Sequence, residues 1–163
     1  AALPALAEAG LDVQLGVVGG PGHGKDYKPA IRAAAAPVAD RVHFVPQVEQ
    51  EMLAEFMCAA DVLCLASYSE GWPNVVTEAL ACGTPVVATR VGGIPEMLCE
   101  ERYGLMAPPR DGPAMAAALR VALERKWDRE AIAEWGRTRS WEQVAEDALW
   151  VLRSAVQQGD AKA

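Results

Sequence analysis

Short apolar runs alternate with helix-period segments along this chain, and that alternation most narrows the folds open to it. The runs are V-Q-L-G-V-V from Val13 to Val18, V-H-F-V from Val42 to Val45, V-L-C-L-A from Val62 to Ala66 and V-V-A-T from Val86 to Thr89. A last short strand is expected from Gly104 to Met106. Continuous apolar runs of this kind suit parallel strands covered on both faces. The segments between them carry a helical pattern: Tyr27 to Ala39, Glu51 to Ala60, a short helix from Ile94 to Cys99, and Asp111 to Arg125. Asn74 is placed to cap a helix running to Cys82, with Gly83 just past its end and Pro85 beyond. A first helix stops at Gly10, and Asp128 to Gln158 reads as mostly helical. The pattern predicts an α/β fold with a doubly wound, Rossmann-like parallel sheet.

The chain of 163 residues reads as a single domain, 1–163, with C-terminal helices over about 128–158 and a frayed G-D-A-K-A tail. Its opening inside a helix, with no signal peptide, reads as a piece cut from something longer. At 52% hydrophobic and 23% charged residues it has the composition of a folded domain. A net charge of −7, from 15 Lys plus Arg against 22 Asp plus Glu, excludes the basic footprint of a nucleic-acid surface and disfavours a grip on anionic lipid. No apolar run approaches the roughly 18 residues of a membrane span. Cys58, Cys64, Cys82 and Cys99 form no C-x-x-C pair and sit in apolar neighbourhoods. They read as small buried hydrophobes in a reducing, cytoplasmic setting. His23 and His43 are far apart in sequence, so no metal site is expected.

The chemistry concentrates between Ser69 and Thr89, in S-E-G-W-P-N-V-V-T-E-A-L-A-C-G-T-P-V-V-A-T. Glu70 falls in a loop and Glu78 in the first turns of the next helix, with seven residues between them. The helix start places backbone N–H groups at Asn74, Val75 and Val76 between the two carboxylates. A helix N-terminus at the carboxyl end of a parallel strand is where such folds bind phosphates. A carboxylate repels phosphate and accepts hydrogen bonds from hydroxyls, so the pair is expected to face hydroxyl groups. A ligand with phosphate in the middle and hydroxyls at both ends fits, and a nucleotide sugar is one.

The same stretch resembles the donor-binding half of retaining glycosyltransferases of family 4, which have the two-domain GT-B architecture. Their signature, Glu, seven residues, Glu, then Ala-x-Ala-x-Gly-x-Pro-Val, is matched by Glu70, Glu78, Ala79, Ala81, Gly83, Pro85 and Val86. In order around it, R-V-H-F-V-P-Q-V (41–48), A-A-D-V-L-C-L-A-S (59–67), V-G-G-I-P-E (91–96), G-L-M-A-P-P (104–109) and S-W-E-Q-V-A (140–145) also fit. The resemblance covers nearly the whole chain. It implies that Glu70 is catalytic, holding a sugar hydroxyl and stabilising charge at the anomeric carbon. It implies that Glu78 holds the ribose hydroxyls, that the Asn74 and Val75 amides meet the diphosphate, and that the backbone of Gly71 and Trp72 lines the sugar pocket. It assigns the backbone of Val48 to the base. No metal or cofactor is implied; the substrate is a nucleoside diphosphate sugar of UDP, GDP or ADP type, and the acceptor belongs to an absent N-terminal domain.

The chain departs from the family pattern at Pro73 and Pro46, where glycine is common. Proline offers no N–H. The family's first strand and its basic loop, with an Arg and a Lys on the diphosphate, are also missing. A doubly wound sheet normally keeps that strand central. Its loss leaves a slot that another segment fills, or across which the strands beginning at Val13 and Val62 close, or the piece is unstable.

Plainer readings stand beside these. Glu70 can be an ordinary loop carboxylate and Glu78 a helix-start charge. Trp72 reads equally as a lid over the sugar or an exposed turn aromatic. His23 and Lys25, in a glycine-rich loop, read as solvated rather than as a phosphate cradle, and Arg90 as a surface ion pair. Trp127, Trp135, Trp141 and Trp150 read as core or inter-domain packing. The function expected is sugar transfer, with this piece inactive alone. The alternatives are a non-catalytic nucleotide-binding or assembly module, and a sugar-nucleotide epimerase or phosphorylase of similar architecture.

Overall fold

The computed structural model describes residues 2–20 and 28–160. The alternation becomes α1 (Ala2–Glu8), β1 (Leu15–Val18), α2 (Lys28–Ala35), a 3-10 helix (Ala36–Arg41), β2 (Val42–Val45), α3 (Gln50–Ala59), β3 (Leu63–Leu65), α4 (Asn74–Ala81), β4 (Val86–Thr89), α5 (Ile94–Met97), β5 (Gly104–Ala107), α6 (Gly112–Glu124), α7 (Arg129–Arg137) and α8 (Trp141–Asp160). The P-G-H-G-K-D loop with His23 and Lys25, and the start of the helix expected from Tyr27, lie outside the described residues.

Every strand pair is parallel, as the alternation predicts. The sheet, however, is in two pieces. β1 pairs with β2, Leu15 opposite Val42, and β3, β4 and β5 form a second sheet in that order. The strands beginning at Val13 and Val62 therefore do not close on each other, and no described strand lies between them. The expectation that V-L-C-L-A is covered on both faces is corrected. β3 pairs along one side, its ends are half-buried and Cys64 is exposed. An apolar run announces burial, but a strand bonded on one side keeps part of its surface open.

The second sheet is closed over. All four residues of β4 are buried. Its register with β5 depends on Gly104, where a Cβ would come within 2.2 Å of the Val86 carbonyl oxygen. α4 and α7 pack on each other across one face, burying Val76, Leu80 and Ile132. They approach closely at Gly136, whose Cβ would stand 2.2 Å from the Ala81 nitrogen. Arg129 ties the joint: it donates to the carbonyls of Ala60 at 2.9 Å and Cys58 at 2.8 Å, and to Thr84 Oγ1 at 3.0 Å. Asp111 and Asp128 cap α6 and α7 by accepting from the amides of Ala114 and Ala131.

The first sheet is more open. In residues 2–20 and 28–50, only Leu6, Val38 and Val42 are buried apolar side chains. Surface pairings supplement them: His43 Nε2 meets Gln14 Oε1 across the strands at 2.8 Å, and Arg32 lies over the Phe44 ring at 4.1 Å. α1 leans on α6.

One further expectation is corrected. The cysteines are not uniformly buried: Cys58, Cys64 and Cys99 are exposed, and Cys82 is half-buried. Proximity to apolar residues in sequence does not set which face a side chain takes. The stretch from Asp128 to Gln158, expected to be mostly helical, forms the two helices α7 and α8, which part at 138–140, where the Ser140 hydroxyl accepts from the Gln143 amide. The tryptophans divide at that break. Trp127 and Trp135 pack, donating to the carbonyls of Ala122 and Met97, whereas Trp141 and Trp150 are exposed.

Candidate functional site

The loop 66–73 leaves the carboxyl end of β3 and leads into α4. Glu70 stands in it half-buried, and Ser67 Oγ donates to Glu70 Oε1 at 2.6 Å. The loop is fastened from behind by the turn after β4. Thr89 Oγ1 donates to the Ser67 carbonyl at 2.6 Å, and the Gly93 amide donates to the Gly71 carbonyl at 2.7 Å. Gly92, at φ +54, leaves no room for a side chain: a Cβ would meet the Glu70 carbonyl oxygen at 2.0 Å. The pair Gly92–Gly93 was legible as a turn. That it presses on the backbone of Glu70 and Gly71 was not, because the contact joins segments about twenty residues apart.

Asn74 does not cap α4. It is the first helical residue, and Pro73 is the cap, without a side-chain bond. Proline at this position fixes the approach of the chain and gives no N–H of its own. The Val76 amide turns back to the Pro73 carbonyl at 3.0 Å. The amides of Asn74 and Val75 have no partner among the described residues and sit at the positive end of the helix dipole. Glu78 lies one turn on, half-buried, with no cation paired to it among the described residues. Its charge acts on Cys82, whose thiol is pushed up to about 11, first by burial, then by the neighbouring Cys58 thiol and then by Glu78.

The structure thus brings Glu70, Gly71, Asn74, Val75 and Glu78 onto one loop and helix start, two carboxylates flanking two unclaimed amides. Such a set accepts hydrogen bonds from hydroxyls at its edges and donates to an anion at its centre. Trp72 belongs to the loop, but its ring turns elsewhere. It lies against Gly93 and under Arg139, and lines a cavity of about 290 Å³ that neither glutamate lines. Val48 stands apart, half-buried on the loop after β2; among the described residues no hydrogen bond joins it to 70–78. Arg90, expected in a surface ion pair, is exposed with no ion pair among the described residues. No group of three His, Cys, Asp or Glu among the described residues is placed to hold a metal ion, and no described helix is long and apolar enough to cross a membrane.

Residues 1–125 match the family model described as glycosyl transferases group 1. The chain is 40% identical over 143 residues to a D-inositol 3-phosphate glycosyltransferase of Mycobacteroides abscessus, a match covering 84% of this chain and 32% of that protein. It spans about a third of the length of such relatives. Its fold superposes on sucrose-phosphate synthase from Thermosynechococcus elongatus with a TM-score of 0.74 and 34% identity, over 89% of this chain and 39% of that one. It also superposes on Anabaena HepE, solved in complex with UDP, with a TM-score of 0.70 and 21% identity, over 99% of this chain and 44% of that one.

Proposed function

Because the chain belongs to the group 1 glycosyl transferases, we propose that it is the donor-binding domain, 1–163, of a retaining enzyme that moves a sugar from a nucleoside diphosphate sugar to an acceptor. The observation that carries this reading is the pair of carboxylates, Glu70 and Glu78, without counter-ions on either side of the Asn74 and Val75 amides. In it the two amides and the α4 dipole hold the diphosphate. Glu78 accepts from the ribose hydroxyls. Glu70, oriented by Ser67, accepts from a hydroxyl of the transferred sugar and stabilises positive charge at the anomeric carbon as the diphosphate leaves. The backbone of Gly71 and Trp72 lines the sugar, and the backbone of Val48 meets the base. No metal takes part. A further domain supplies the acceptor, in keeping with relatives about three times as long as this chain. The chain works in the cytoplasm, a reading its four free cysteines support.

Titration calorimetry of the chain with UDP-, GDP- and ADP-glucose tests the reading. It expects one base to be preferred and affinity to fall in Glu78→Ala. Equal, weak binding of all three that Glu78→Ala leaves unchanged would overturn it. In a longer protein containing this chain, the transferred sugar should keep its anomeric configuration; inversion in the product would refute the retaining assignment.

A further inference from the structure

Trp72 is the residue of the loop that neither carboxylate accounts for. It stands two positions after Glu70 and two before the first free amide of α4. Its indole has two close neighbours. Gly93 is so near that a Cβ there would come within 2.6 Å of Trp72 Cε3. The Arg139 guanidinium lies over the ring, 4.4 Å from its centroid. Arg139 makes no hydrogen bond or ion pair among the described residues, so this stacking is its described interaction. Beside the indole lies the cavity of about 290 Å³, whose walls include Thr77, Glu96, Trp135 and Gln143. Trp72 is a little over one-third exposed, at 37%. The guanidinium covers a residue that is otherwise partly open to solvent.

We infer that Arg139 is a positioning residue: by stacking on Trp72 it holds the 67–73 loop, and with it Glu70 and the first amides of α4, in one arrangement. The inference rests on the donor site proposed above. Arg139 sits in the 138–140 break between α7 and α8. The grip therefore also joins the start of α8 to the loop that carries Glu70. α8 exposes Trp141, Trp150, Leu152 and Val156. A displacement of the α7–α8 joint that lifts Arg139 would remove one restraint on the loop and leave those of Thr89 and Gly93 in place. Cation–π contacts at exposed positions are modest, so the effect expected is about two- to fivefold in loop opening or ligand affinity.

Hydrogen–deuterium exchange on the 163-residue chain tests it with Arg139→Ala, Arg139→Lys and Trp72→Ala. The Gly93 amide, which donates to the Gly71 carbonyl, and the Val76 amide, which donates to the Pro73 carbonyl, should exchange about two- to fivefold faster in Arg139→Ala. They should stay near wild type in Arg139→Lys, with β4 and α7 unchanged in both. The double variant should be no faster than Trp72→Ala alone; should Trp72→Ala fail to fold, the two Arg139 variants decide. Unchanged exchange in Arg139→Ala, or a double variant faster than Trp72→Ala, overturns the inference. UDP titrated into the same proteins keeps the two claims separate. A wild type that binds no UDP sinks the donor reading while the exchange result still judges the grip. Binding that weakens about two- to fivefold in Arg139→Ala supports both.

Discussion

The two sheets share one design and differ in how it is finished. β4 has a paired strand on each side, helices over its faces and no exposed residue. β1 has one partner, a half-exposed pattern and few buried side chains around it. The residues proposed to touch the sugar, diphosphate and ribose all stand on the closed sheet's side, and Val48 alone is contributed by the open one. A site that must hold carboxylates to a fraction of an ångström is built where packing over-determines the backbone. The open sheet is the part with slack.

The largest way to break that contrast is Gly92→Ala. A side chain at φ +54, pressed onto the Glu70 carbonyl, should cost about 2–5 kcal/mol and move the loop. Chemical denaturation should show the loss, and a variant as stable as wild type would mean that the turn does not bear on the loop. A matched pair of truncations sharpens the contrast next. Ile132→Ala, in the closed half, should cost about 2–5 kcal/mol. Val17→Ala, in the half-buried β1, should cost about 1 kcal/mol. Equal costs in urea unfolding would erase the difference between the halves.

Glu78→Ala should leave stability within about 0.5 kcal/mol and weaken nucleotide binding by roughly tenfold or more, as expected for a lost hydrogen bond to a charge. A melting curve beside a calorimetric titration separates the two. The smallest effect expected is a pH slope. The Cys82 thiol is held above its ordinary value in the folded chain, to about 11. Its contribution is present below its ordinary value of 9.0 and is lost as pH rises through about 11. Cys82→Ser should flatten the alkaline limb of the stability profile; an unchanged limb would show that the thiol is not responsible.

The parallel α/β plan was legible because local signals and tertiary packing agree, as in V-V-A-T between two helices. The order Glu70, helix start, Glu78 was legible because it lies within one loop and helix. What sequence reading missed depends on distant neighbours. Nothing near V-L-C-L-A says that it would pair on one side only. Asn74 has the chemistry of a cap, but Pro73, with its fixed φ, takes that place and starts the helix one residue earlier than expected. Trp72 reads two ways in the sequence because its partners, Gly93 and Arg139, come from two other elements. Arg129 has no local sequence signal. Its value lies in gathering the end of α3 and the turn after α4, and a lone arginine at a helix start gives no sign of that.

The most direct test of the account is an amide-resolved NMR titration of the chain with UDP. The amides of Gly71, Trp72, Asn74 and Val75 should move together and saturate, and Glu78→Ala should suppress the response while the rest of the spectrum stays folded. Shifts confined to other parts of the chain, or a response at these amides that Glu78→Ala leaves intact, would contradict it.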